Sequence, residues 1–218
     1  MDQLEYIIGL VALTMGVGWA SGINLYATIL MLGVLNNMGH VALPEELQIV
    51  GDPLVLMAAG FMYFIEFFTD KVPGVDTGWD SLHTFIRIPA GAALAAGAVG
   101  DMAPAVELAA ALVGGSLAAG SHAAKAGTRV LINTSPEPVT NWTASISEDL
   151  MVLAGLWAAL NHPIWFLIAL VVFILLLIWL LPKIWRGVKK VFGFIAGLFG
   201  TKTESDLLVK PQALPGNK

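Results

Sequence analysis

Residues 163–181 read PIWFLIALVVFILLLIWLL, 19 positions without a charged side chain and with Trp165 and Trp179 near the two ends. Hydrocarbon offers no water to a backbone amide, so a segment that crosses a bilayer satisfies its own amides as a helix of about 20 apolar residues. Tryptophan at either end of such a run suits the headgroup boundary, where an apolar ring with one N–H finds both environments. This stretch sets the class of the whole chain. Of its 218 residues, 57% are hydrophobic and only 12% charged, about half the charged fraction of a soluble domain.

Outward from this run, further apolar stretches lie at 4–35, 53–70, 82–100, 104–132 and 146–161, so the expectation is an all-α integral membrane protein with six spans. The third and fifth spans have short uncharged cores, 88–100 and 150–160, and cross only if charged residues enter the membrane's edge. The first is long enough to be tilted, or broken around Gly16, Gly18 and Gly22. There, GVGWASGINLYAT (16–28) surrounds Trp19, Asn24 and Tyr26 with small residues. It reads either as an interruption lining a cavity or as an ordinary, tightly packed helix, and the ordinary helix is the simpler expectation. Asp2 and Glu5 precede this run where a cleavable signal would carry positive charge, so the segment is expected to stay in the mature protein.

The 11 Lys and Arg are segregated. Lys71 and Arg87 flank one loop, Lys125 and Arg129 approach the next, and seven follow residue 182, whereas 36–52, 101–103 and 161–163 contain none. By the positive-inside rule both termini are then expected in the cytoplasm, which six spans satisfy. Beyond the last span, KIWRGVKKVFGFIAGLFG (183–200) mixes Lys183, Arg186, Lys189 and Lys190 with apolar residues. Such a segment serves as a stop-transfer anchor or lies in the headgroup layer of an anionic leaflet. Residues 201–218, with Pro211 and Pro215, read as a disordered tail. The expected organisation is a helical membrane domain over 1–161, an additional span over 162–182, the basic segment and the tail.

An internal echo adds detail. Pro73, Thr77 and Trp79 recur at an offset of 63 as Pro136, Thr140 and Trp142, which suggests that two helical hairpins repeat in parallel orientation. Glu66 and Asp70, four apart, share a helix face, as do Lys125 and Arg129, with His122 one turn earlier. A lone charge at membrane depth costs roughly 2.5–3.5 kcal/mol even on the mildest scale, so these groups are expected to face one another. They form either a structural ion-pair network or a substrate site.

Several chemistries are excluded. With no cysteine there is no disulfide, thiolate metal site or cysteine nucleophile. No G-x-S-x-G elbow and no Walker or Rossmann glycine loop is present. Enzymatic activity is therefore not the leading expectation. The few basic residues do not make a nucleic-acid surface, and the net charge of −5 comes from scattered acids. Asp70, Asp76 and Asp80 around a Pro-Gly turn offer oxygen ligands to a hard cation, although their spacing matches no established loop; His83 and His122 with Glu66 make a poorer case for a transition metal. No cofactor is implied.

The strings EFFTDKVPGVDTGWDSLHTFIRIPAGA (66–92), SHAAKAGTRVLINTSPEP (121–138), SISEDL (145–150) and SGINLYATIL (21–30) carry a resemblance. Over residues 10–160 the chain resembles the bacterial membrane-protein family catalogued as domain of unknown function 4126. The resemblance implies an inner (plasma) membrane location and matches the family's acidic residue to Glu66 and its E-D pair to Glu148 and Asp149, but brings no activity. Together these residues point to a small transporter or channel-like protein. Arg87, Lys125 and Arg129, with His122 beside them, would contact an anionic solute or lipid headgroup, and Glu66, Asp70, Glu148 and Asp149 would be counter-ions or proton-coupled acids. The rival reading is a membrane scaffold that forms homo-oligomers or docks a membrane-protein partner. Either way the lipid bilayer is the first partner and nucleic acid is not one.

Overall fold

The computed structural model describes residues 3–134 and 138–199. They form six α-helices, α1 (Gln3–Asn37), α2 (Pro53–Thr69), α3 (Val75–Ala98), α4 (Pro104–Ile132), α5 (Pro138–Asn161) and α6 (Pro163–Phe199), with a short 3₁₀ helix at Glu45–Gly51 and no strand among the described residues. Proline stands at the start of α2, α4 and α6, where its fixed φ suits the first turn and its missing N–H is no loss. The expected tail and Pro136 of the echo lie outside the described residues.

Four helices, α1, α4, α5 and α6, are long and apolar enough to cross a membrane, and α2 makes a fifth if it is joined to the 3₁₀ helix across a 59° bend. The protein is membrane-embedded, but the count of six is not reached. At 24 residues α3 has the length to cross, but its inner face is charged. Asp76, Asp80, His83 and Arg87, spaced by four, three and four, are all buried.

Contrary to the simpler expectation, α1 is not one continuous helix. Asn24 has extended backbone angles, φ −146° and ψ 98°, and separates arms at 3–23 and 25–37. The first arm packs parallel to α4: a Cβ at Gly22 would collide with Ser121 and Ala118, and one at Gly18 would sit 2.6 Å from the Gly114 backbone, so only glycine allows this approach. The second arm runs back beside α2 and ends where Asn37 Nδ2 donates to the Gly51 carbonyl at 2.8 Å and Asn36 Oδ1 accepts from Leu43 N–H at 3.2 Å. The arms therefore form a V. Glu5 and Leu10 line the same cavity of about 630 Å³ as Val41, Glu46 and Asp101, which a straight helix of 35 residues, about 50 Å long at 1.5 Å per residue, would forbid.

This corrects the expected topology. The start of α1 lies at the lysine-free end of the bundle, with the α1–α2 and α3–α4 connections, while α6 ends at the opposite, basic end; the described ends of the chain do not share a side. The basic segment continues α6 as helix, which runs through Pro182 to Phe199 and buries Ile184 and Val188. Ile184 fits where Gly127 of α4 has no side chain.

The chain has no native cysteine, so single substitutions report topology directly. Cysteines at Glu5, Glu45 and Asp101 are expected to react with an impermeant maleimide from one face of oriented vesicles, and one at Lys190 from the other. Labelling of the Glu5 and Lys190 positions from the same face would contradict the V.

Candidate functional site

The α2–α3 and α4–α5 hairpins bring seven charged side chains together near the basic end. Arg87 of α3 reaches Glu66 of α2 at 2.5 Å and Asp80 at 3.1 Å. Lys125 of α4 holds Glu66 at 3.1 Å, Asp70 at 2.9 Å and Glu148 of α5 at 3.5 Å. One turn on, Arg129 grips Glu148 at 2.6 Å, approaches Asp70 at 3.6 Å and donates to the Asp70 and Asn141 carbonyls. The side chains of Glu66, Arg87 and Arg129 are fully buried. Desolvation at such depth is recovered only when each charge has both a counter-ion and hydrogen bonds. That recovery is incomplete here: Glu66 Oε2, Asp70 Oδ1, Asp80 Oδ2 and Arg87 Nε are buried without a hydrogen-bond partner. Four carboxylates also face three cations, a surplus of one negative charge.

The vertex of α1 meets this cluster. Lys125 Nζ donates to the Ile23 carbonyl at 3.2 Å, so the ammonium satisfies one carbonyl at the end of the first arm. Asn24 caps the second arm, its Oδ1 accepting from Ala27 N–H at 3.0 Å, the role for which asparagine is favoured. Its amide donates at 2.8 Å to Asp149, whose other oxygen accepts from the Tyr63 hydroxyl at 3.1 Å. An acid beside a helix N-terminus also suits the helix dipole. Two residues on, the Tyr26 hydroxyl lies 2.9 Å from His83 Nε2, and His83 Nδ1 lies 2.9 Å from the Trp79 carbonyl. A carbonyl only accepts, so Nδ1 carries the proton and Nε2 accepts from tyrosine. His122 Nδ1 likewise accepts from Arg87, which only donates, at 3.2 Å.

Of the residues expected from sequence, Glu66, Asp70, Arg87, Lys125, Arg129 and Glu148 converge, and His122 touches Arg87 from outside. Asp149 turns away from its neighbour Glu148 to the α1 vertex. Asp80 enters the cluster although its place at the turn groups it with Asp70 and Asp76 as an oxygen ligand; its position seven before Arg87, with His83 between them and Asp76 one turn earlier on the same helical face, was the available signal. Asn24 and Tyr26 had only the small-residue stretch around them as a signal, and Tyr63 had none. The turn does not gather Asp70, Asp76 and Asp80 around one point: Asp70 goes to Lys125 and Asp80 to Arg87, while Asp76 Oδ1 accepts from Asn133 at 2.7 Å and from Gly74 N–H and Thr77 N–H of its own turn. Among the described residues no three His, Asp or Glu side chains come together as a cation site, the trio His83, His122 and Glu66 included. In the same turn Lys71 lies over the Phe67 ring, 3.0 Å from its centroid, and donates to the Phe67 carbonyl. Burial there holds its ammonium below the ordinary lysine range.

The model of one family matches residues 11–183, most of the chain. The protein belongs to the family described as Domain of unknown function (DUF4126). The match runs past residue 160, where the resemblance was expected to end, and takes in the apolar part of α6. It includes every residue of the cluster. No match was found among curated proteins or among solved structures.

Removing one partner from such a cluster leaves its counter-ions buried. Lys125→Met is expected to destabilise the protein by about 3–5 kcal/mol, against about 1 kcal/mol for loss of the cap in Asn24→Ala, measured by thermal unfolding in detergent. Equal losses would show that Lys125 does not tie the helices together.

Proposed function

We propose that this protein is a small transporter in which the broken first helix and the charged cluster form one site, coupling movement of an anionic solute or headgroup to a proton. The observation that carries this is the meeting of the α1 vertex with Lys125 and Asp149. Breaking a helix inside a membrane exposes backbone groups that hydrocarbon cannot satisfy, and an ion-pair network built only for stability needs no such break. Discontinuous helices ending at charged groups are how transporters place polar sites at depth.

The charge balance supports the coupling. The cluster is neutral once it holds one proton, and a net charge is costly to bury. An entering anion would take cations from a carboxylate such as Glu66 or Glu148, and the displaced carboxylate would take a proton, so anion and proton move together. Equivalent hairpins would supply the moving parts. α2 and α4 end 63 residues apart, at Thr69 and Ile132, and Val75–Ala98 and Pro138–Asn161 differ by the same 63 at both ends. This offset pairs Glu66 with Arg129, both in the cluster, and favours a parallel repeat. With the basic end cytoplasmic by the positive-inside rule, the cluster would open toward the cytoplasm of a cell whose plasma membrane holds the protein.

A second reading, a scaffold whose charges serve assembly alone, is favoured by the way the charges close directly on one another. Flux separates the two. In vesicles enclosing a pH-sensitive dye, the wild type is expected to move protons when a gradient of phosphate, sulfate or a small carboxylate is imposed, and folded Glu66→Gln to do so at least tenfold more slowly. Proton movement indifferent to every anion, or equal in the variant, would sink the transport reading, and co-purification of a stoichiometric partner would then favour the scaffold.

A further inference from the structure

A second feature, outside the cluster, opens between α3, α4 and α6 at the basic end. It is a cavity of about 750 Å³ whose α3 wall carries Thr77, Ser81 and Thr84, whose α4 wall includes Ala123, and whose α6 wall carries Trp185 and Phe192. At about 30 Å³ per molecule in the liquid it has room for roughly 25 waters, each needing two to four polar partners. The walls do not offer them. Ser81 Oγ donates to the Thr77 carbonyl at 2.7 Å, Thr84 Oγ1 donates to the Asp80 carbonyl at 3.0 Å and meets His122, and Thr77 Oγ1 accepts from Asn133 at 2.9 Å. The Ser81 and Thr84 protons are committed to their own helix and Thr77 to Asn133, which leaves only a few acceptor sites on a wall that is otherwise apolar and suits hydrocarbon.

The rim supplies a sign of charge. Lys183, Arg186, Lys189 and Lys190 follow one another along α6, all exposed and none in an ion pair among the described residues; Lys189 stands next to the face that lines the cavity, and the other three project from other sides of the helix. Lys189 Nζ lies 5.6 Å from the centroid of the Trp185 ring that forms part of the wall. Basic side chains just beyond a span attract anionic headgroups. We propose that the cavity binds one acyl chain of an anionic phospholipid from the surrounding bilayer, its headgroup held at the rim by Lys189. This site does not depend on the transport reading, and it gives α6 a role in addition to crossing the membrane. A bound chain would fill the gap between α6 and the α3–α4 pair, where His122 and Thr84 join the cavity wall to Arg87.

The test uses the full-length protein in vesicles of phosphatidylcholine with a fixed fraction of brominated lipid. The Trp185 signal is taken as the difference between wild type and Trp185→Phe. Brominated phosphatidylglycerol is expected to quench that signal more strongly than brominated phosphatidylcholine at equal mole fraction, and Lys189→Gln to lower the preference about fivefold, the effect of one basic residue near a charged surface. Ala123→Trp, which fills the cavity, should remove the preference. Equal quenching by the two lipids would mean ordinary annular contact and overturn the proposal, as would a preference that survives both substitutions. Should Ala123→Trp fail to fold, the comparison of the two lipids on the wild type still decides. Failure here would leave the proton-flux experiment untouched, since that experiment reads the cluster and not α6.

Discussion

The ammonium of Lys125 is where the parts of this bundle meet. From α4 it reaches the last carbonyl of the first arm of α1, the carboxylates of Glu66 and Asp70 at the end of α2, and Glu148 of α5. An ammonium has three protons and no acceptor, so it is satisfied only if several elements come to it at once. A charge left alone at this depth costs several kcal/mol. The geometry is therefore cooperative: α1 can end its first arm at Ile23 because Lys125 is present, and Lys125 can be buried because the acids of two hairpins surround it.

The remaining architecture follows from that point. Two arms of α1 must return from the vertex to the same end of the bundle, and they fit there only because Gly18 and Gly22 let α4 approach to backbone contact. The inner faces of α3 and α4 change along their length. Small residues such as Gly91, Ala95 and Gly114 pack at the lysine-free end, and Asp80, Arg87, Lys125 and Arg129 occupy the basic end. The helices thus combine close apolar contact, driven by packing without a hydrophobic force between helices, with a buried polar layer that fixes their register. Burying unpaired atoms such as Glu66 Oε2 and Asp80 Oδ2 is a poor way to build stability alone. That is the physical ground for treating the layer as a working site.

Much of the site was legible. Residues four apart on an apolar helix share a face, and charges at matching depth must pair, so Glu66, Asp70, Lys125 and Arg129 could be placed together from spacing and sign. In the sequence Asp80 groups with Asp70 and Asp76 as a cation ligand because it stands beside the turn, although α3 continues through it on the same face as Arg87. Asp149 shows the limit of the method. Its neighbour Glu148 faces Arg129, and adjacent residues on a helix point about 100° apart, so one of the pair had to face elsewhere; which partners waited there depended on α1 and α2.

By itself the sequence determined the membrane class, the positions of most helices and the need for the buried charges to find one another, because hydropathy, proline starts and the cost of a lone charge act locally or through composition. Only the tertiary structure decided that α1 is a V and that its beginning lies opposite the basic end. A helix interruption at Asn24 is stable only with Lys125 at the Ile23 carbonyl and Asp149 at the Asn24 side-chain amide, residues more than a hundred positions away. Nothing in GVGWASGINLYAT states that those partners will arrive.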